Sequence, residues 1–188
     1  MWKPATKHCF TVLDYHKMAG SGILSEDDRV ELIEGEVVDL TPIGRTRAAC
    51  VARLTDLFGE GLRRKVIVWA QNPLRLDQYS EPQPDVALLR WRRDFYADSE
   101  PGPDDVLLVI EVAETSLLYD RNVKISLYAR AGTCEVWLVD LNGESVTIHR
   151  EPGPQGYRHV AVVQGSHLLN PLAFPDMVLT VDQILKGR

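Results

Sequence analysis

Residues 107–116 read LLVIEVAETS, and Val106 extends the run at its front. An apolar stretch this dense in branched residues is the pattern of a strand covered on both faces, so it belongs at the centre of a sheet. Glu111 sits in the middle of it. A carboxylate in such a place is costly unless a cation or hydrogen-bond donors meet it. The stretch therefore sets the architecture, and Glu111 raises the question of what it binds.

The flanking text supplies the rest of a mixed fold. FTVLDYHKMAG reads as a short helix, with Thr11 as its cap, Asp14 three residues later, and Gly20 and Gly22 closing it. RVELIEGEVVDL reads as two short strands about Glu34-Gly35. From Thr46 to about Arg64, Cys50, Val51, Leu54, Leu57 and Phe58 recur at helical spacing. VIVWAQNPLRL and PDVALLR are strand-like runs split by a polar loop, and ADSEPGPDD is a second loop. YDRNVKISLYARAG reads as a helix ending at Gly132. EVWLVDL and ESVTIHR flank Asn142-Gly143, which predicts a type I′ hairpin. YRHVAVVQG is a further strand, and Thr180 with Gln183 forms a capping box for a last helix. No repeat or linker divides the chain. The reading is one α/β domain over residues 1–188, a mixed sheet with helices packed on it.

Composition narrows the functions. The 188 residues are 45% hydrophobic and 26% charged, as in an ordinary globular chain. There is no apolar run long enough for a membrane span, and MWKPATKHCF lacks the apolar core of an export signal, which points to the cytoplasm. Cys9, Cys50 and Cys134 have neither disulfide nor zinc spacing, and the five histidines show no metal spacing. A net charge of −6 excludes a basic nucleic-acid coat, so any binding to phosphate must be local or use a metal ion. RRK (63–65) and RWRR (90–93) read as solvated surface.

Three stretches carry residues suited to chemistry. Asp85 opens a strand after Pro84, Glu111 lies in the next strong strand, and Lys124 precedes Leu127 and Tyr128 by three and four residues. That spacing turns Lys124 toward the sheet. Two carboxylates and a lysine aimed at one region suit Mg²⁺, a hard cation with oxygen ligands, acting on a phosphate. Taken singly, each has a plain structural reading: Asp85 a turn residue, Lys124 a snorkelling side chain, and Glu111 the partner of an arginine such as Arg121.

These motifs resemble the PD-(D/E)XK nuclease superfamily, with its restriction-endonuclease-like fold. Almost the whole chain, roughly residues 10–186, resembles the bacterial Uma-two family, a family of unknown function with that fold. The stretches that carry the resemblance include DRVELIEGEVV, SEPQPDVALLR, PGPDDVLLVIEVAETSLLYDRNVK, LYARAG and NPLAFPDMVLTVDQIL. The resemblance implies that Asp85 and Glu111 bind Mg²⁺ or Mn²⁺, with the main-chain carbonyl of Val112 as a third ligand. It implies that Lys124 replaces the lysine usually found two residues after the glutamate, where this chain has Ala113. Glu31 or Glu36 matches a further acidic position; Glu36 is placed in the site here. Gln71 is expected to line it. Relatives carry a histidine where this chain has Arg47, a residue suited to phosphate at a helix start. The function expected is a metal-dependent DNA endonuclease, working as a homodimer. The alternative is a nuclease-fold module with weak or no activity and a binding or regulatory role.

Overall fold

A computed structural model describes residues 7–25 and 27–187. The N-terminal stretch read for an export signal therefore begins outside the described residues. Helix α1 (Val12–Gly20) starts with the expected capping box of Thr11 and Asp14. Strands β1 (Val30–Ile33) and β2 (Glu36–Asp39) form an antiparallel hairpin of their own. Helix α2 (Arg45–Gly61) follows, then β3 (Val66–Ala70), β4 (Val86–Arg90) and β5 (Val106–Ala113). Past β5 the chain forms α3 (Leu117–Tyr119), a π turn (Asp120–Lys124) and α4 (Ile125–Arg130). Strands β6 (Glu135–Asp140), β7 (Ser145–Gly153) and β8 (Gly156–Gln164) complete the main sheet. The small pair β9 (Leu168–Leu169) and β10 (Leu179–Thr180) leads into α5 (Val181–Lys186), capped by Thr180 and Gln183 as expected.

The sheet runs β3-β4-β5-β6-β7-β8, antiparallel except between β5 and β6. That one parallel step needs a crossover, which is why the helical segment lies between those strands. β5 is central and covered on both sides, as its composition requires. Leu108, Ile110 and Val112 pack in one core with Cys50, Leu54 and Phe58 of α2 and Val181 and Ile184 of α5. Val109 and Ala113 pack in the other core with Ile125, Leu127 and Tyr128 of α4. Alternation along the strand sends Glu111 toward the α4 face. No helix among the described residues is long and apolar enough to cross a membrane.

Two local expectations need correction. The β6–β7 hairpin forms where Asn142-Gly143 placed it, but its turn is not type I′. The left-handed residue is Glu144 (φ 47°), because the Asp140 carboxylate takes the N–H groups of Asn142 (3.1 Å) and Gly143 (2.9 Å). This side-chain turn holds the pair in a right-handed bend and moves the reversal one residue on. The single helix read over YDRNVKISLYARAG is interrupted by the π turn, in which the Ile125 N–H bonds back to Asp120 O.

His149 on β7 is buried, its ring 5.6 Å from that of Tyr157, and its Nε2 has no partner among the described residues. Burial, then the charge of Arg121, pushes its pKa down to about 4 from 6.5. A depressed histidine pKa means that the unfolded chain binds the proton first as the pH falls. The stability that neutral His149 contributes is complete above pH 6.5 and is lost as the pH falls toward 4. Urea unfolding between those limits is expected to show a fall on the order of 2 kcal/mol in the wild type. His149→Phe should lack that component. Parallel pH profiles for the two proteins would remove His149 from the account.

Candidate active site

Strand β1, the π turn and the neighbouring stretches of β4 and β5 bring together four buried acids: Glu31, Asp120, Asp85 and Glu111. Asp85 stands one residue before the pair Val86–Ile110, so it lies opposite Glu111 across the β4–β5 ladder and on the same face. The rigid Pro82-Gln83-Pro84 segment presents it there. Lys124 ends the π turn directly over these carboxyls. Its Nζ donates to Glu111 Oε1 at 2.9 Å, to Glu31 Oε2 at 3.1 Å and to the carbonyl of Gln83 at 3.5 Å. Lys124 is therefore no snorkelling side chain: it is 2% exposed and fully engaged.

Asp85 is held from two sides. Its Oδ2 accepts from the Val112 N–H at 2.8 Å. Arg47, in the first turn of α2, places Nε 3.2 Å from both carboxylate oxygens and Nη2 2.9 Å from Oδ2. The N–H and C=O of one strand residue face the same edge, so the Val112 carbonyl turns toward Asp85 as well. Glu31 accepts from the Gln83 N–H at 3.0 Å and from the Tyr119 hydroxyl at 3.4 Å. The Tyr128 hydroxyl donates to Glu111 Oε1 at 2.7 Å, and Ser116 Oγ donates to Asp120 at 2.6 Å.

Charge is out of balance in this cluster. Four acids face two cations, Lys124 and Arg47. Glu111 Oε2 is buried and has no hydrogen-bond partner among the described residues. Burial pushes the Glu111 pKa up to about 8 from 4.5 against the pull of Lys124, and the neighbouring acids Asp120, Asp85 and Glu31 add to the rise. Burial likewise raises Asp120. At neutral pH such a site retains a proton or takes up a cation. A cleft of about 270 Å³ leads to it, lined in part by Thr41, Arg47, Ser116, Tyr119 and Lys124.

The residues singled out from sequence divide as follows. Asp85, Glu111, Lys124 and the Val112 main chain come together. Of the two candidates on the hairpin, Glu31 joins them and Glu36 does not. Glu36 projects into solvent and pairs with Lys7 at 2.7 Å, because it begins β2 at the turn end of the hairpin, on the same face as Glu31 but away from the cluster. Gln71 is also displaced. Its N–H donates to Asp85 O (3.1 Å) and its carbonyl accepts from Gln83 Nε2 (2.7 Å), but it lines a separate cavity of about 460 Å³ with Tyr15 and Arg29. It supports the Asp85 segment through its backbone (φ 52°). Glu111 is paired by Lys124 and Tyr128 and not by Arg121.

Sequence reasoning passed over Gln83, Tyr119, Asp120 and Tyr128. Three had a visible signal: Asp120 and Tyr128 are each four residues from Lys124 and share a helix face with it. Gln83 lies two residues before Asp85, on the same side of an extended segment. Elsewhere, Glu81 and Glu100 approach His16 from distant parts of the chain, which no histidine spacing could disclose. The two imidazole nitrogens face them at 2.9 and 3.7 Å.

Comparison with known proteins bears on the fold and the family. No curated protein matches the chain. Among solved structures, a protein from Anabaena variabilis ATCC 29413, titled a putative nuclease belonging to DUF820, superimposes with a TM-score of 0.73. The match covers 94% of this chain and 97% of that one at 16% identity, so it shows a common fold. The α/β, restriction-endonuclease-like sheet expected from sequence is thus the observed one. Residues 12–182 match the Uma2 family, described as "putative restriction endonuclease", and the chain belongs to that family.

Proposed function

We propose that the protein is a metal-dependent endonuclease that hydrolyses phosphodiester bonds of DNA. One observation carries this reading: a buried carboxylate oxygen, Glu111 Oε2, has no partner among the described residues and lies beside Asp85 in a cluster with more acids than cations. That donor set fits a hard divalent ion. Asp85, Glu111 and the Val112 carbonyl would hold Mg²⁺ or Mn²⁺, all through oxygen. The ion would supply Lewis acidity toward a phosphate and a water molecule.

The chain's own groups do the remaining work. Lys124 keeps a fixed positive charge beside Glu111, where charge accumulates on the phosphate oxygens in the transition state. Glu31 and the Gln83 carbonyl hold that ammonium in place, and Tyr128 fixes the Glu111 carboxyl. Preorganisation of this kind costs no rearrangement at the moment of reaction. Membership of a family described as "putative restriction endonuclease" supports a nucleic-acid substrate.

The test is nicking of supercoiled plasmid in Mg²⁺ or Mn²⁺ by the wild type, Asp85→Ala and Glu111→Ala. The wild type is expected to nick, with chelator abolishing the activity, and both variants should be inactive. Variants that cut as fast as the wild type would place the chemistry elsewhere or in a contaminant.

A further inference from the structure

Arg47 occupies the position where a metal ligand should be free. Its guanidinium lies against both oxygens of Asp85. Resting on the metal-site reading above, we propose that Arg47 is a latch: it holds Asp85 while the divalent ion is away, and it moves to a substrate phosphate when the ion binds.

Four features support a mobile Arg47 beside a fixed Lys124. First, Asp85 has a separate anchor, the Val112 N–H at 2.8 Å, so its position survives if Arg47 leaves. Second, the only other side-chain hydrogen bond of Arg47 among the described residues is to Thr41 Oγ1 at 3.5 Å, a marginal distance. Lys124, by contrast, has two carboxylates and a carbonyl around it. Third, the Arg47 side chain is 13% exposed and lines the cleft by which a phosphate would arrive. Fourth, a guanidinium binds phosphate as readily as carboxylate, through the same planar fork of donors.

The consequence is a coupling. An ion and the guanidinium are both cations competing for the Asp85 oxygens, so each weakens the other there. A phosphate in the cleft gives Arg47 a second partner and clears Asp85 for the ion. Ion and phosphodiester then strengthen each other's binding, and the effect is reciprocal by linkage. The protein would load its ion mainly together with substrate.

Calorimetric titration with Mn²⁺ tests this on the wild type, Arg47→Met and Asp85→Ala. Arg47→Met is expected to bind Mn²⁺ roughly tenfold more tightly than the wild type, within the usual range of site-to-site coupling. Dimethyl phosphate should tighten Mn²⁺ binding to the wild type and leave Arg47→Met unchanged. Equal or weaker binding by Arg47→Met, with binding still lost in Asp85→Ala, overturns the latch and leaves the metal site standing. Failure of the wild type and Arg47→Met alike to bind Mn²⁺ overturns both. If Arg47→Met does not fold, the wild type decides: the Arg47 Nε–H resonance should lose its carboxylate-bonded shift on titration with Mg²⁺. An unchanged resonance at saturating Mg²⁺ rules the latch out.

Discussion

Lys124→Met is expected to lower the stability of the protein by about 3–5 kcal/mol, the range for removing one partner from a buried ion pair. The reason is what it leaves behind. Glu31 and Glu111 are each 1% exposed, and both turn an oxygen toward the lysine. Methionine fills the space but cannot neutralise them. The loss should depend on pH in a defined direction. Glu111 already sits near pKa 8, above its ordinary 4.5, so the stability tied to its retained proton is complete below 4.5 and is lost as the pH rises through 8. Without Lys124 its carboxyl rises further. The deficit of Lys124→Met should therefore be smaller near pH 5 than near pH 8. Adding Glu111→Gln should restore part of the loss, because the orphaned charge is removed. Urea unfolding at the two pH values measures all of this. A deficit within about 0.5 kcal/mol, typical of a surface substitution, would mean that the cluster is hydrated.

Trp137→Ala should cost a similar 3–5 kcal/mol by cavity formation. Trp137 is wholly buried on β6, between Ile110 of β5 and Ile148 of β7, with its ring centroid 6.1 Å from that of Phe58 on α2. It thus ties the central strands to the helix. Its indole N–H donates to Glu135 Oε1 at 2.9 Å, but Glu135 retains Arg150 at 2.7 Å and the Leu172 N–H at 2.6 Å. Loss of the indole leaves no unpaired carboxylate, so the deficit is one of packing. Unlike that of Lys124→Met, it should stay nearly constant from pH 5 to pH 8. Thermal unfolding of the two variants side by side separates a core-packing loss from an orphaned-charge loss.

What the residues alone made legible follows from local physics. An apolar run such as VLLVIEVA has no stable place except inside a sheet, and Thr11 and Thr180 carry their capping partners three residues on. Pattern of this kind acts over a few residues, so it survives in the one-dimensional text. The same holds for Asp85, Glu111 and Lys124: each sits on an element whose period fixes the direction of its side chain. The choice between Glu31 and Glu36 was of another kind. The two acids share one face of the β1–β2 hairpin, since Glu31 pairs with Val38 and Ile33 with Glu36, and the hairpin lies outside the main sheet; only its docking, with Leu32 bridged to Glu81, puts the Glu31 end at the cluster and the turn end in solvent.

Arg47 marks the limit most clearly. Its sequence position, at the start of α2, offered a phosphate partner. The tertiary fold instead sets that helix end against the end of β4, 38 residues away, and supplies a carboxylate. Charge pairing over such separations depends on where elements pack, which no local periodicity encodes. Local pattern was enough to give the sheet, its central strand, Asp85, Glu111 and the lysine aimed at them. The pairing of Arg47 with Asp85, and the arrival of Glu31 and Asp120, came from how distant elements pack, because burial makes the neutralisation of these acids a property of the assembled core.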